Sequence, residues 1–406
     1  MTADVVVTGI GAVGAWGAGV EALAAALAAG QVASREVDRA AGYHRVGGAR
    51  RALLVEPSTY VPWLAAAQAR RMSPPSRYAV AALRLALADA GLAEDDPGFA
   101  STAIVMGTAF GPAQVTEQLL DAILHRGPEA ASPALFTESV ANAPAAQMAL
   151  AVRALGPNLT IPQREASDFV ALAEATRLLA AGKAARALVG TADEMIPLLH
   201  AILDRMGVLA RADAAGREVA RPLDRARDGI TAAEGGTVVL LEQRGAALAR
   251  GARVRCRVET TGTAFDPTAA NVDWGVGEEP LARAIRRSLA RAGVELTSID
   301  RVILGASGAR RGDRLAARTL TRLFADSPVP AVLAPKGIVG EYGGGFLAAA
   351  TLAASGAPVA PPSGFATEDP ELGIAPARGP LAPARRCLAL ALASSGAAAW
   401  AVLGAP

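Results

Sequence analysis

This 406-residue chain is poor in aromatic, cysteine, histidine and lysine residues and has almost no excess of either charge. Each scarcity excludes something. Forty basic residues against thirty-eight acidic ones leave a net +2, so no overall electrostatic footprint invites a nucleic acid or an anionic membrane. Two cysteines, Cys256 and Cys387, make neither a disulfide framework nor a zinc site. Three histidines, His44, His125 and His200, stand apart from each other and from any cysteine or carboxylate at metal-ligand spacing. Each reads as a surface or satisfied core residue. No G-x-S-x-G elbow is present, so a Ser-His-Asp hydrolase has no support. The first residues carry no basic n-region and Gly9, Gly11 and Gly14 break the apolar run that follows, which argues against a signal peptide and for the cytoplasm. Lysine occurs only at 183 and 336. Arginine fills the role elsewhere, a bias that fits nucleotide composition and makes both lysines worth following.

What is present is apolar. At 52% hydrophobic and 19% charged residues the chain can bury a large core, and its length predicts two domains or one duplicated α/β architecture. Short β-branched runs at Val5–Thr8, Ala103–Met106, Ala187–Val189 and Thr237–Leu241 read as strands buried on both faces. A helix over Tyr78–Ala90 stops at Gly91. The second half repeats the alternation, with strands near Val254–Val258, Arg301–Leu304, Ala331–Leu333 and Leu388–Ala393 and a helix over Pro280–Ala292. A boundary near Gly245–Gly251 therefore divides the chain into halves 1–245 and 246–406. Leu388–Pro406 is uncharged and long enough to imitate a membrane segment, but Ser394, Ser395 and Gly396 interrupt it, so it reads as a buried hairpin.

Gly9-Ile-Gly-Ala-Val-Gly14 is a literal G-x-G-x-x-G behind a strand, the phosphate-cradling fingerprint of dinucleotide folds. The stretch Gln31–Glu36 makes a weak second strand for such a unit, and the competing reading is a glycine-rich turn closing the first strand. The most specific block is Arg221-Pro-Leu-Asp-Arg-Ala-Arg-Asp-Gly229, followed by Glu234-Gly-Gly. It resembles the P-F-D-x-x-R-x-G-x-x-x-G-E-G signature of β-ketoacyl synthases, the condensing enzymes of fatty-acid and polyketide assembly. The resemblance extends over nearly the whole chain. Val5–Gly17, Arg77–Leu92 with its Asp89-Ala-Gly-Leu ending, Gly156-Pro-Asn-Leu-Thr-Ile161 and Pro335-Lys336 with Gly340 are similar to the family's opening strand, R-x-A-x-x-A helix, nucleophile lead-in and P-K-x-x-x-G-H loop. The resemblance implies a thiolase fold: α/β, two duplicated halves in five αβαβα layers.

Condensation in that family needs a cysteine at a helix N-terminus as thioester carrier and two histidines that steady the enolate left by decarboxylation. Counted from Gly156, the cysteine slot falls on Glu165, and a carboxylate cannot carry a thioester. The first histidine slot falls on Gly305 and the second on Glu341. The phenylalanine-rich gating loop is replaced by Ala393-Ser-Ser-Gly-Ala-Ala-Ala-Trp-Ala401. A scaffold retained without its nucleophile, histidines or gate resembles the chain length factor, or ketosynthase β subunit, of type II polyketide synthases. That resemblance implies a heterodimer with an active ketosynthase α subunit, an acyl carrier protein bearing the growing chain, and no cofactor or metal. Glu165 departs from the glutamine most often found there, and an ionised carboxylate at a helix N-terminus suits malonyl decarboxylation poorly.

Two surfaces follow. Pro112, Val115 and Leu119, on one side of the helix after the second strand, match the segment that faces the partner's tunnel, and their moderate size implies a little-obstructed chain path. Plain core packing is the competing reading. Arg311, Arg314, Arg318 and Arg322 line one helix face, either as a solvated surface or as a contact for an acidic carrier protein. Two other classes of function stay open: an independent thiolase-fold enzyme using Glu165 or Glu341 as acid–base group, and a dinucleotide-dependent oxidoreductase.

Overall fold

The computed structural model describes residues 4–343 and 345–406. Its main strands are β1 (Val5–Gly14), β2 (Thr102–Gly107), β3 (Asn158–Ile161), β4 (Arg186–Asp193), β5 (Gly235–Gln243), β6 (Cys256–Phe265), β7 (Arg301–Leu304), β8 (Ala331–Leu333), β9 (Arg386–Leu392) and β10 (Ala397–Gly404). They hydrogen-bond in the order β8-β7-β9-β10-β6-β1-β5-β4-β2-β3. Counted in chain order within each half, both halves run 3-2-4-5-1 from their outer edge to the seam. The directions repeat as well. β2 is parallel to β3 and β4, as β7 is to β8 and β9, and the last two pairings of each half are antiparallel. The halves join where Val5–Val7 pairs with Cys256–Val258.

Helices α1 (Pro74–Ala90), α2 (Ala113–Arg126), α3 (Ala143–Val152), α4 (Ser167–Ala180), α5 (Glu278–Arg291), α6 (Arg310–Leu323) and α7 (Leu347–Ala354) set the layers. One apolar cluster joins α1 and α3 to the outer face of the first half-sheet, a second joins α5 and α6 to the outer face of the other, and the largest holds α4 and α7 between the two. This five-layered arrangement is the thiolase fold. Sequence dictates the placement. α7 reads Leu-Ala-Ala-Ala-Thr-Leu-Ala-Ala and every residue of it is buried, as a helix apolar all round must be. α6 buries Leu315, Ala316, Leu320 and Leu323 and turns its arginines outward.

The expected strands and helices form, with several longer than read. α1 begins a turn before Tyr78, because Pro74 and Pro75 occupy the first-turn positions that proline tolerates and Ser73 caps the Ser76 N–H. β1 continues through all three glycines to Gly14. A Cβ at Gly11 would fall 1.8 Å from the Ala82 carbonyl oxygen, and one at Gly9 2.3 Å from that of Ala86. These glycines let α1 lie close against the sheet. They form neither a turn nor a phosphate cradle, and the weak strand near 31–36 is only Arg35–Glu36, paired with Arg51–Ala52 in a separate ribbon. The dinucleotide reading therefore fails on geometry. Leu388–Pro406 forms the expected hairpin, Arg386↔Gly404 to Leu392↔Ala398. Among the described residues no helix is long and apolar enough to cross a membrane.

Gly11→Ala should lower the thermal midpoint sharply, since overpacking a tight wall costs about 1–3 kcal/mol or more. Gly245→Ala, with open space around its Cβ position and a short helical setting, should be neutral or stabilise by up to about 1 kcal/mol. Scanning fluorimetry of both variants checks the contrast.

Candidate functional site

The site lies in the middle layer, where α4 and α7 meet. Asp168, fully buried at the start of α4, accepts the Phe346 and Leu347 N–H groups at the start of α7, at 3.0 and 2.9 Å. One carboxylate thus joins the two central helices. Burial raises its pKa to about 6, against the pull of Lys336 and the backbone donors. The Phe169 and Phe346 rings pack at 4.7 Å beside it.

Glu165 occupies a turn immediately before α4, and the preceding Arg164 has a left-handed φ of 50°. Such backbone strain concentrates at functional turns. The Glu165 side chain points at the turn between β9 and β10. There its Oε2 accepts the Ser394 N–H at 3.0 Å and the Ser394 hydroxyl at 3.2 Å. Its backbone carbonyl accepts the Lys336 ammonium at 2.9 Å. Lys336, with no exposed side-chain surface, also pairs with Glu341 at 2.7 Å and stands 5.0 Å over the Phe346 ring. Glu341 Oε1 is buried without a hydrogen-bond partner. Burial pushes the Glu341 carboxyl up to about 7; Lys336 pulls the other way, and Glu165 adds to the rise. Gly305 follows β7 and donates its N–H to Leu390, and a Cβ there would meet the Phe346 ring at 3.1 Å.

The structure therefore gathers Glu165, Gly305 and Glu341 around one centre. It adds Lys336, Ser394, Phe346 and Asp168, to which the sequence reading gave no role. The one signal for Lys336 was its rarity within a Pro-Lys pair. Neither cysteine belongs to this centre. Cys256 and Cys387 lie buried in β6 and β9, with burial raising both thiols, Cys387 to about 11.

The family model for the β-ketoacyl synthase N-terminal domain matches residues 2–247. The chain belongs to the β-ketoacyl synthase family. Among its relatives is the Streptomyces coelicolor protein named as actinorhodin polyketide beta-ketoacyl synthase 1, 30% identical over 75% of this chain and 68% of that one. Another is the 3-oxoacyl-[acyl-carrier-protein] synthase 1 of Haemophilus influenzae, 26% identical over 83% and 81%. Among solved structures, the ishigamide ketosynthase/chain length factor superposes with a TM-score of 0.87 over the full length of both chains at 29% identity.

Elsewhere on this β-ketoacyl synthase homologue, Val115 and Leu119 are buried within the chain itself, and Pro112 starts α2. Val115 borders a cleft of about 520 Å³ that Arg70, Arg71, Arg77 and Leu135 also line. On α6, Arg311 pairs with Asp273, while Arg318 and Arg322 face Glu278 and Glu279 at 3.8 and 3.9 Å. Three of the four arginines thus meet carboxylates of the same chain. Arg314 is exposed without an ion pair among the described residues.

His44 and His200, far apart in sequence, meet at 3.1 Å, which corrects their reading as isolated residues. Burial lowers both pKa values. Among the described residues no group of three or more His, Cys, Asp or Glu could hold a metal.

Lys336→Met leaves Glu341 buried beside two other carboxylates without its cation. Breaking a buried pair costs about 3–5 kcal/mol, and here protonation of Glu341 offers an escape. An acid whose folded pKa lies above its unfolded one loses stability as pH rises between the two. The deficit of Lys336→Met should therefore be largest near pH 8 and shrink towards pH 5. Denaturant midpoints at both values measure it.

Proposed function

We propose that this chain is the non-condensing partner in a polyketide ketosynthase pair, a chain length factor that shapes the path of the growing acyl chain. The observation that carries the reading is the occupation of the former catalytic centre. Glu165 is held by Ser394, Glu341 by Lys336, and position 305 lies under Phe346, so no thiolate and no imidazole is available. The polyketide setting is supported by the names of the actinorhodin and ishigamide relatives. A cytoplasmic location and the division into halves 1–245 and 246–406 belong to the same proposal.

A partner is supported by the outer end of the first half. β3 is the last strand of the sheet and its outer edge has no partner among the described residues. Leu120 and Leu124 of α2, Phe136, Val140, Leu150 of α3, Leu155 and Leu159 are exposed on the elements around it. Apolar surface of that extent beside an open strand edge marks an interface, and an active ketosynthase α subunit is the partner that fits the reading. An acyl carrier protein would approach the assembled pair, with Arg314 the member of the α6 stripe left for its acidic surface.

Coexpressed with an active type II polyketide ketosynthase α subunit, the chain should copurify, and Leu124→Arg with Leu155→Arg should abolish this while leaving the circular dichroism of the chain unchanged. A stable monomer at micromolar concentration that ignores the ketosynthase would refute the assignment. Intact mass spectrometry with malonyl and acyl carrier protein should find no acyl group on this chain. Glu165→Cys alone should not restore condensation, because Gly305 and Glu341 supply no imidazole.

Val115→Phe and Leu119→Phe test the chain-length face. Intrusion into the chain path costs about 1–3 kcal/mol, and each 1.4 kcal/mol is about tenfold in rate, so the pair should make shorter products at unchanged early turnover. Core packing instead predicts less heterodimer with unchanged product length.

A second reading keeps one specific support. Glu341, with a pKa of about 7 and an unpartnered oxygen, has the properties of an acid–base group. Turnover of any acyl thioester by the isolated chain that Glu341→Gln removes would favour it.

A further inference from the structure

A separate cavity opens beside the second half of the sheet. It is an open groove of about 1000 Å³ between the free part of β6 and α5, lined by Thr260, Gly262, Ala264, Arg287, Arg291 and Trp400. β1 pairs with β6 only as far as Val5↔Val258, so from Thr260 to Phe265 the β6 edge has no strand beside it among the described residues. Edges left open in this way accept an added strand.

Three features give the groove chemistry. The Trp400 indole is 2% exposed and borders the groove, and its Nε1 donor has no hydrogen-bond partner. An unpaired buried donor is destabilising unless something accepts from it. Gly262 pairs with Trp400 across the strands, and a Cβ there would stand 2.5 Å from the ring, so only glycine lets the indole lie against this edge. Arg287 and Arg291 are exposed on the facing helix and form no ion pair among the described residues. They stand one helical turn apart, roughly 6 Å along the axis. Alternate side chains of a strand are spaced by roughly 6.6 Å. Two carboxylates at positions i and i+2 of an extended peptide therefore match the two guanidinium groups, while its backbone completes the β6 edge and an oxygen accepts from Trp400.

We infer that this groove is a docking site for an acidic, extended peptide segment of a partner protein, added as a strand to β6. It stands independently of the chain-length role, since none of its residues is Glu165, Gly305, Glu341 or one of their bonded partners, and none belongs to the β3 end of the sheet.

The test uses the full-length chain and a fluorescein-tagged, acetylated eight-residue peptide alternating glutamate with valine. Fluorescence anisotropy should show binding at least tenfold tighter than for a peptide of the same composition with its glutamates grouped at one end, or for an alternating lysine–valine peptide. Arg287→Glu with Arg291→Glu, both on the surface, should weaken binding at least tenfold. Trp400→Phe, which keeps a ring in the core, should weaken it several-fold. Hydrogen exchange should slow at residues 260–265 when the alternating peptide binds. Equal affinity for either control peptide, unchanged binding by the charge-reversed variant or by Trp400→Phe, or a 260–265 edge already protected without peptide would each overturn the assignment.

Discussion

A single buried ammonium organises the centre of this protein. Lys336 has no exposed side-chain surface, and its charge must be met from inside. It is met by Glu341, five residues along the same loop, and by the carbonyl of Glu165 on the far side of the middle layer. The second contact ties the segment before α7 to the turn before α4. Glu165 then reaches a third segment, the β9–β10 turn, through Ser394. Segments distant in sequence are thereby fixed to one another by charge-assisted bonds, worth about 1.5–3 kcal/mol each. Removing the cation would leave the Glu341 carboxylate, with Glu165 and Asp168 raising its energy, without a compensating charge.

The duplicated topology explains why the centre falls where it does. Both halves present their first strand at the seam and their buried central helix to the middle layer. The start of α4 and the start of α7 consequently face each other, and the N–H groups at those ends need acceptors. Asp168 supplies one carboxylate for both ends. Its proton affinity rises on burial, yet the donors around it favour the ionised form, and the compromise is a carboxyl near 6. Structural bonding has claimed groups that, in an open site, would be free for substrate.

The fold was legible because its signals are local and periodic. The strand Arg301–Leu304 and the helix read over 280–292, found at Glu278–Arg291, follow from apolar spacing, and the hairpin at 386–404 from an uncharged run broken by Ser-Ser-Gly. The glycines of β1 were misleading for a physical reason. Glycine serves a close helix approach and a phosphate cradle equally well, and only the position of Ala82 and Ala86 distinguishes them. The positions Glu165, Gly305 and Glu341 could be counted along the chain from a motif. Their partners could not, because Ser394 lies 229 residues from Glu165 and Lys336 171 residues from it. The His44–His200 contact was hidden in the same way, across 156 residues. The arginines of α6 show the opposite error, since helical periodicity placed them on one face but could not reveal the acids of α5 opposite.

The choice of glutamate at 165 has a consequence that glutamine would share only in part. A neutral amide could accept from the Ser394 N–H, but a carboxylate also repels Glu341 and so raises the pKa of that group. The same negative charge lies at the N-terminal end of α4, where the helix dipole stabilises it. An enolate formed at this place would meet an existing anion instead of a hydrogen-bond donor, and every polar contact that stabilises Glu165 works against it. The turn that it holds, at Ser394, stands where the family resemblance puts a gating loop, so the carboxylate at the cysteine position also ties down that turn. On the reading proposed above, one side chain then does two things: it stands at the cysteine position and it anchors that turn. Such coupling suits the proposed role, in which the chain contributes a wall of fixed shape and not a reacting group.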